Sequence, residues 1–410
     1  MKYATSAFLA FMTLCWPSGD AVADLRDAVL LKAALRNGFT TPEALSRPFS
    51  REKSAVGRLL FESTRLSLNG DTSCKSCHLD RFSSADGITN AIGVGGRGEG
   101  IDRLKSGGAV VPRNTLPLWG RGAKDFRVFF WDGKVEQTPA GVRSQFGAYA
   151  PSSDPLTVAV HLPFVEIREM VVDDAHVSRE FEKEEVAAAQ RIYALLARRV
   201  RDDDTLGSGL AAAFQIDRRD ITFAHVVESI THFYRDRFRI RETKFHRFIF
   251  RGAALSAQER EGGLIFYGKG RCVQCHGGPH FTDFRFHAIP FPQAGFGKNG
   301  FGVDYGRYNV TFDDRDLYKF RTPPLFNVAH TAPYSHSGGV AKLEDAIRFH
   351  FDPLRFFNPA EHDLVERVEF YKRLSAWSGN ELRVPVLSDE EVGAVASFLE
   401  ALSFDSIPPQ

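Results

Sequence analysis

Apolar residues return at helical spacing in a few separated stretches of this 410-residue chain. In the clearest stretch they stand three and four residues apart, which places them on one face of a helix. They are Phe223, Val226, Val227, Ile230 and Phe233. A similar periodicity runs through residues 185–200. The pattern predicts amphipathic helices separated by long segments without a regular repeat.

Two capping boxes mark where further helices begin. In such a box a serine side chain accepts a hydrogen bond from the third helical residue, whose glutamate bonds back to the cap. Ser256 with Glu259 predicts a helix running to Tyr267, and Ser388 with Glu391 predicts the last helix of the chain. The apolar positions that the last helix should bury are Val392, Val395, Phe398, Leu399 and Leu402.

The remaining segments are rich in glycine and proline and carry weak strand signals. Long loops of this kind usually have a functional reason, such as wrapping a bound group. We therefore expect a mainly α fold with extensive loops. The chain is long for a single hydrophobic core, so we expect two domains, residues 24–220 and 221–410, divided after the acidic run at 202–204.

The first 23 residues have the features of an export signal. Lys2 supplies the positive start, and residues 7–14 form an apolar stretch too short to span a bilayer. Ala21-Val22-Ala23 is a small-x-small cleavage site. Cys15 lies inside this segment without the small neighbour that a lipoprotein anchor requires. We therefore expect a periplasmic protein with no membrane anchor.

The overall composition is ordinary for a globular protein. Charged residues make up 25% and hydrophobic residues 43%, and the formal net charge is +1. Nothing in this balance predicts nucleic-acid binding. Phenylalanine is abundant, with 36 residues, whereas there are only 3 methionines. Aromatic walls would suit a large apolar cofactor, although most phenylalanines are expected to be plain core.

Four of the five cysteines form two Cys-x-x-Cys-His motifs, the attachment pattern of a c-type haem. The two thiols add to the haem vinyl groups, and the adjacent histidine is placed to bind the iron. Two zinc or redox motifs are the alternative, but zinc prefers four ligands that converge from nearby segments. The motifs are Cys74-Lys75-Ser76-Cys77-His78 and Cys272-Val273-Gln274-Cys275-His276. We expect one covalently bound haem c in each domain, each following a helix, 51–61 or 257–267.

Short motifs around the two attachment sites make the chain resemble the bacterial di-haem cytochrome c peroxidases and their MauG-like relatives. The resemblance covers nearly all of the chain after the export signal and implies two cytochrome c-like domains. It rests on Arg113-Asn114-Thr115, Phe130-Trp131-Asp132-Gly133, Glu169-Met170, Gly277-Gly278, Phe281-Thr282-Asp283, the run from Thr322 to Val328, the run from Thr331 to His336, and Leu343-Glu344-Asp345-Ala346.

The resemblance implies an electron-transfer haem in the C-terminal domain that is closed on both faces. Peroxidases of the family use a methionine there, but this chain has none after Met170. Alignment of the motif at 343–346 puts His350 in that position, where MauG-like proteins have tyrosine. We expect His276 and His350 to bind the second iron together. The alternative ligands are Tyr334 and Tyr371.

The N-terminal haem is expected to be open on its distal face. Many of the peroxidases block this iron with a histidine, but there is no histidine between His78 and His161, and the loop at 93–108 holds no methionine. Glu169 matches the family's distal acid, which would move a proton between the oxygens of hydrogen peroxide. The alternatives are Glu166 in that role, or a surface position for Glu169.

Two further site assignments follow from the resemblance. Trp131 matches a tryptophan between the two haems that can relay an electron, although a plain core role is the alternative. Asn114 and the backbone carbonyls of Thr331 and Pro333 match a calcium site, and oxygen ligands suit calcium. His336 is expected to be a hydrogen-bonding neighbour of the site.

The leading functional hypothesis is a MauG-like or MbnH-like enzyme. It would use hydrogen peroxide, through high-valent haem iron, to oxidise a tryptophan of a partner protein. The alternative is a cytochrome c peroxidase that takes electrons from a small donor cytochrome. A third possibility is a non-catalytic di-haem electron carrier, which the expected open iron disfavours.

Overall fold

A computed structural model describes residues 19–147, 149–172, 175–379 and 383–404. The charged start, the apolar stretch and Cys15 of the expected export signal lie outside the described residues. The α-helices are α1 (Gly19–Arg36), α2 (Pro42–Leu45), α3 (Arg51–Glu62), α4 (Ile101–Lys105), α5 (Pro155–His161), α6 (Ala175–Asp202), α7 (Asp204–Phe214), α8 (Phe223–Arg237), α9 (Lys244–Arg251), α10 (Ala257–Tyr267), α11 (Tyr308–Thr311), α12 (Leu343–Arg348), α13 (Leu364–Ser375) and α14 (Asp389–Glu400).

Strands are few and short in the described ranges. An antiparallel sheet has the order β1–β2–β3, and β4 pairs with β5, also antiparallel. The strands are β1 (Val128–Phe129), β2 (Val135–Thr138), β3 (Gly141–Arg143), β4 (Phe286–His287) and β5 (Phe320–Arg321). The expected mainly α fold with long connecting loops is confirmed.

One pair of crossing helices builds the first core. The face of α8 predicted from the sequence is buried against α3, on which Val56 and Leu60 are buried as well. The two backbones approach closely at Gly57, where an added Cβ would lie 2.1 Å from the carbonyl oxygen of Ser229. Only glycine permits this approach, because a Cβ at that distance overlaps the oxygen.

A second pair repeats the arrangement in the C-terminal half. Both predicted capping boxes form, so that Ser256 begins α10 and Ser388 begins α14. The two helices cross at Gly262, where a Cβ would lie 1.8 Å from the carbonyl oxygen of Ala394. All five apolar residues predicted for the last helix are buried. Each pair therefore consists of the helix that precedes a Cys-x-x-Cys-His motif and a later helix crossing it.

The packing of two helices argues against the expected domain boundary at residue 220. Helix α8 packs on α3 of the N-terminal half, although that boundary assigns α8 to the C-terminal domain. Conversely, Leu30 of α1 is buried against α10, and Asp27 forms an ion pair with Arg260. We propose a boundary after α8, with α1 completing the C-terminal core.

None of the helices within the described ranges combines the length and apolarity needed to cross a membrane.

Two candidate haem pockets

The two Cys-x-x-Cys-His motifs adopt the same local structure. Each begins with a 3₁₀ turn, and the backbone N–H of the histidine donates to the carbonyl of the first cysteine, over 3.0 Å for His78 and 2.8 Å for His276. Nδ1 of His78 donates to the carbonyl of Ser84 (2.7 Å), and Nδ1 of His276 donates to that of Phe281 (3.1 Å). A proton held on Nδ1 leaves the lone pair of Nε2 for a metal, as in most protein histidine ligands.

Burial keeps both histidines in the neutral form that binds metals. It lowers the pKa of His78 and of His276 to about 4. Desolvation disfavours the imidazolium because its charge loses water contacts. At neutral pH both rings can therefore act as ligands without first losing a proton.

His350 lies opposite His276 across the second cavity. Their ring centres are 6.4 Å apart, and Nδ1 of His350 donates to the carbonyl of Ala346 over 2.9 Å. Two imidazoles on opposite sides of one metal ion, with bonds of about 2 Å, would have ring centres roughly 6 Å apart. The separation and the free Nε2 atoms therefore fit one iron bound between the two rings.

The two tyrosine alternatives to His350 lie in different environments. Tyr334 lines the second cavity, but its hydroxyl donates to the carbonyl of Ala329 over 3.5 Å. Tyr371 is 48% exposed and packs edge-on against Phe357. Neither tyrosine is placed opposite His276 in the way that His350 is.

The rest of the second cavity is largely apolar. Its aromatic lining includes Phe266, Phe291, Phe320 and Phe326, which suits the face of a large flat ring. His336 also lines it, stacked on Phe320 with a centroid distance of 3.8 Å. Nε2 of His336 shares a hydrogen bond of 2.9 Å with the side-chain oxygen of Gln293. His336 is thus a hydrogen-bonded neighbour of the second pocket.

The first cavity carries charged groups instead of a second imidazole. Besides His78, its lining includes Glu166, Glu169, Lys134 and Lys298. Among the described residues that line it, there is no histidine other than His78 and no methionine. The first pocket can therefore hold a haem whose distal face is left to small molecules.

The glycine-rich loop at 93–108 stays out of this cavity because it is folded around Arg103. That side chain is 2% exposed and donates to the carbonyls of Ile92, Gly93 and Gly96. The loop also pairs with the distal segment, since the N–H of Val94 donates to the carbonyl of Arg168 over 3.0 Å. The loop thus braces the segment that carries Glu169.

The two acids of the first cavity have opposite electrostatic environments. Burial by itself raises the pKa of Glu166, but Lys134, whose Nζ lies 2.6 Å away, and Lys298 lower it below its ordinary value. Burial raises the pKa of Glu169 to about 7, and the Glu166 carboxylate reinforces the shift. Glu166 is therefore held as an ion pair, whereas Glu169 can take up and release a proton near neutral pH.

Trp131 lies between the two cavities and lines both of them. Its indole N–H donates to the carbonyl of Asn114 over 3.0 Å, and its own carbonyl accepts from the N–H of Arg321 over 2.8 Å. The indole is buried, at 9% exposed. The ring is thus fixed where it can contact a group in either pocket.

Two buried arginines between the pockets point to an anionic cofactor. Arg121 and Arg321 are 6% and 0% exposed, and each has a buried guanidinium nitrogen without a hydrogen-bond partner. Burial lowers the pKa of both groups, that of Arg321 to about 9, and Arg321 further lowers that of Arg121. Buried cations of this kind require an anion. The propionate carboxylates of haem would supply it, so these residues fit the group that the cysteines predict.

The residues expected to bind calcium all line the second cavity, and two of them are in contact. Nδ2 of Asn114 donates to the carbonyls of Pro333 (2.7 Å) and Ser335 (3.3 Å), and Thr331 lines the same cavity. A half-turn of the Asn114 amide would present its oxygen in place of its nitrogen. The side chain and the carbonyls can then form an oxygen cluster of the type that calcium prefers.

Lys134, Lys298, Arg121 and Arg321 were not predicted from the sequence. Lys134 follows directly on the Phe-Trp-Asp-Gly motif, and that position was its only signal. Lys298 reaches the first pocket from a loop of the C-terminal half, 220 positions after His78 along the chain. A contact at that separation leaves no local pattern.

The chain is similar to several known proteins. The family model for di-haem cytochrome c peroxidase matches residues 51–254. The methylamine utilization protein MauG of Methylorubrum extorquens is 27% identical over 381 residues, covering 88% of this chain and 90% of that protein. The cytochrome-c peroxidase IdrP1 of a Pseudomonas species (strain SCT) is 26% identical over 368 residues, covering 80% and 83%. A solved MauG-like protein associated with microbial copper homeostasis has a TM-score of 0.62 and 25% identity, with 90% and 93% of the two chains covered.

Proposed function

The chain belongs to the di-haem cytochrome c peroxidase family of oxidoreductases, and on that premise we propose that it uses hydrogen peroxide to oxidise a partner protein. In this proposal Cys74, Cys77 and His78 hold one haem c, and the second motif holds the other. The redox chemistry would be supplied by the haem iron when it is bound. The partner residue would be a tryptophan or another readily oxidised side chain.

The contrast between the two faces opposite the motif histidines carries this proposal. The second pocket offers His350 at 6.4 Å from His276, whereas the first offers acids and lysines. Two imidazoles, His276 and His350, would leave no place for peroxide on a bound iron, whereas His78 alone would leave one. We assign peroxide chemistry to the first pocket and electron transfer to the second.

Glu169 is the proposed general base and acid. Its carboxylate takes a proton from one oxygen of hydrogen peroxide and returns it to the oxygen that leaves. A pKa of about 7 suits both halves of this transfer, because the group must accept and release the proton at the working pH. Glu166 forms an ion pair with Lys134, and its role is to balance the positive charge of the neighbouring lysines.

Trp131 is the proposed electron relay between the pockets. Reduction of hydrogen peroxide to two molecules of water consumes two electrons and two protons, and the partner supplies the electrons. Because Trp131 lines both cavities, it divides one long transfer between the haems into two short ones. Its hydrogen bond to Asn114 fixes the ring for that purpose.

We also propose one calcium ion at the interface, bound by Asn114 and the carbonyls of Thr331 and Pro333. The ion would stiffen the junction that positions Trp131. The Asn114 side chain would bind the ion, and the backbone carbonyl of Asn114 accepts the indole N–H of Trp131. Elemental analysis of protein purified without chelator should give one calcium per chain. Asn114→Leu should remove it, while Asn309→Leu, outside this cluster, should not.

A periplasmic location completes the proposal, supported by the export features at residues 1–23 and by the two Cys-x-x-Cys-His motifs. An ordinary cytochrome c peroxidase is the second candidate. It is favoured by the similarity to IdrP1, which equals that to MauG within a percentage point. In that case a small reduced cytochrome would supply the electrons.

One experiment separates the two candidates. The ferric protein is given stoichiometric hydrogen peroxide, without prior reduction, either with a reduced c-type cytochrome or with proteins co-expressed from neighbouring genes. We expect slow turnover of the cytochrome and a mass change on a tryptophan-containing partner. Fast cytochrome oxidation with no modified partner would favour the ordinary peroxidase.

A further inference from the structure

Lys298 enters the first pocket from the other half of the molecule. It lies on the loop between β4 and α11, in the segment Gly297-Lys298-Asn299, yet it lines the cavity of His78 and Glu169. The first pocket is therefore completed by a cation that its own domain does not supply.

The loop is held firmly against the first domain at its base. Arg113 donates to both carboxylate oxygens of Asp304, over 2.7 and 2.9 Å, and to Asp132 over 2.5 Å. All three groups are nearly buried, with side-chain exposures of 11%, 0% and 1%. This ion-pair network joins the two halves within a few residues of Lys298.

The loop is also fixed on both sides of the lysine. Nδ2 of Asn90 donates to the carbonyl of Ala294 over 2.9 Å. Gly297 has a φ of +74°, and a Cβ there would lie 2.2 Å from the carbonyl oxygen of Val303. A residue with a side chain cannot adopt this turn without strain. The backbone that carries Lys298 is therefore built for one conformation.

The charges around Lys298 leave its ammonium group available to a ligand. Asp132 is already bound by Arg113, and Glu166 is already bound by Lys134. The nearest carboxylate oxygen to Nζ of Lys298, that of Asp132, is 3.9 Å away. Among the described residues Nζ makes no hydrogen bond, and the side chain is 33% exposed. An ammonium group that lines the cavity with unused donors favours an anionic or strongly accepting guest.

We propose that Lys298 donates a hydrogen bond to the oxygen of hydrogen peroxide that becomes negative when Glu169 removes its proton. This role rests on the proposed function of the first pocket. The step is a proton transfer: the peroxide O–H bond breaks, the carboxylate of Glu169 becomes a carboxylic acid, and hydroperoxide anion remains. Lys298 keeps its proton throughout and stabilises the new charge, as a donor aimed at a developing negative charge does.

Fluoride binding to the ferric first haem tests the role, with carbon monoxide binding to the reduced first haem as the reference. Fluoride is a small anion that accepts hydrogen bonds, whereas carbon monoxide is neutral. The variants are Lys298→Met, which removes the donor, and Lys298→Arg, which keeps a cation. Lys105→Met is the control, because Lys105 is exposed on α4 of the first domain.

In Lys298→Met the fluoride Kd should rise about tenfold to a hundredfold, the loss expected for one hydrogen bond to a charged group. Carbon monoxide affinity should stay within about twofold of the parent by the same scale. Lys298→Arg should recover most of the fluoride affinity, and Lys105→Met should change neither ligand.

Three results would overturn the assignment: unchanged fluoride affinity in Lys298→Met, equal weakening of fluoride and carbon monoxide, or no recovery in Lys298→Arg. If the first haem of the parent binds neither ligand, its distal face is closed. The proposed function of the pocket then fails first, and the role of Lys298 fails with it.

Discussion

The two haem pockets share an attachment motif but differ on the face that the motif does not reach. In both, a histidine held through Nδ1 presents Nε2 to the cavity. Opposite His276 stands His350, whose ring is equally well held by Ala346. The cavity of His78 is lined instead by Glu169 and a set of charged groups. In our proposal one pocket retains two ligands on an iron, and the other binds and deprotonates a guest.

This difference shows that the fold by itself does not determine which chemistry each pocket supports. Both pockets lie beside a pair of helices that cross at a glycine, Gly57 in one half and Gly262 in the other. Each motif follows the first helix of its pair. The distinction comes from a few side chains on loops that enter each cavity. The same scaffold can therefore carry an electron-transfer site and a reactive site in one chain.

Glu169→Gln should have the largest effect. The amide keeps the shape but cannot accept a proton, and acid–base assistance is typically worth roughly 10²–10⁴-fold. The second-order rate with hydrogen peroxide should fall by about that factor, measured by stopped-flow absorption with both haems in place. His350→Ala, in the other pocket, should not lower this rate. An equal loss of this rate in both variants would contradict the proposed division of roles between the two pockets.

Substitution of the glycines at the two helix crossings tests whether the two halves share an architecture. Gly57→Ala and Gly262→Ala should each destabilise the holoprotein by about 1–3 kcal/mol, the usual cost of overpacking a core. Each added methyl group meets a backbone carbonyl that cannot move away. Gly393→Ala is the control on α14, because nothing lies within 4 Å of its added Cβ. Calorimetry should show it unchanged or slightly stabilised.

The pH dependence of the reaction with hydrogen peroxide should follow the ionisation of Glu169 alone. The group acts as a base only when it is ionised, and its pKa is about 7. The peroxide rate should therefore be constant above pH 7 and fall about tenfold for each unit below it. In Glu169→Gln this fall in rate at low pH should disappear. A fall centred near pH 4.5 would mean that the carboxylate is not desolvated as the structure indicates.

Among the substitutions that distinguish the roles of the two pockets, Trp131→Phe should have the smallest effect. The second haem is reduced first, and its re-oxidation after peroxide addition is followed by absorption. Phenylalanine fills most of the volume but is much harder to oxidise, so re-oxidation should slow several-fold. Peroxide binding at the first haem should stay unchanged. Re-oxidation as fast as in the parent would leave Trp131 with a packing role.

Local patterns in the sequence were enough to predict much of the helical framework. The capping boxes at Ser256 and Ser388 and the apolar face of α8 depend only on neighbours within a few residues, and the structure confirms them. The haem motifs are equally local. Such features can be read from sequence because the interaction and the pattern occupy the same segment.

Features that depend on distant contacts could not be predicted in this way. The packing of α1 on α10 joins Leu30 to a helix more than two hundred positions later, and α8 packs on the distant helix α3. The boundary that we propose after α8 rests on these contacts. Lys298 and the pair Arg121 and Arg321 were missed for the same reason. Their roles come from the cavities they share and not from their neighbours in sequence.

Electron paramagnetic resonance of the ferric protein, recorded without prior reduction, tests most directly whether one pocket is open and the other closed. We predict one high-spin haem and one low-spin haem per chain. His350→Ala should convert the low-spin signal to high spin and leave the other unchanged. Two low-spin signals in the parent, or a spectrum that His350→Ala does not alter, would contradict the account.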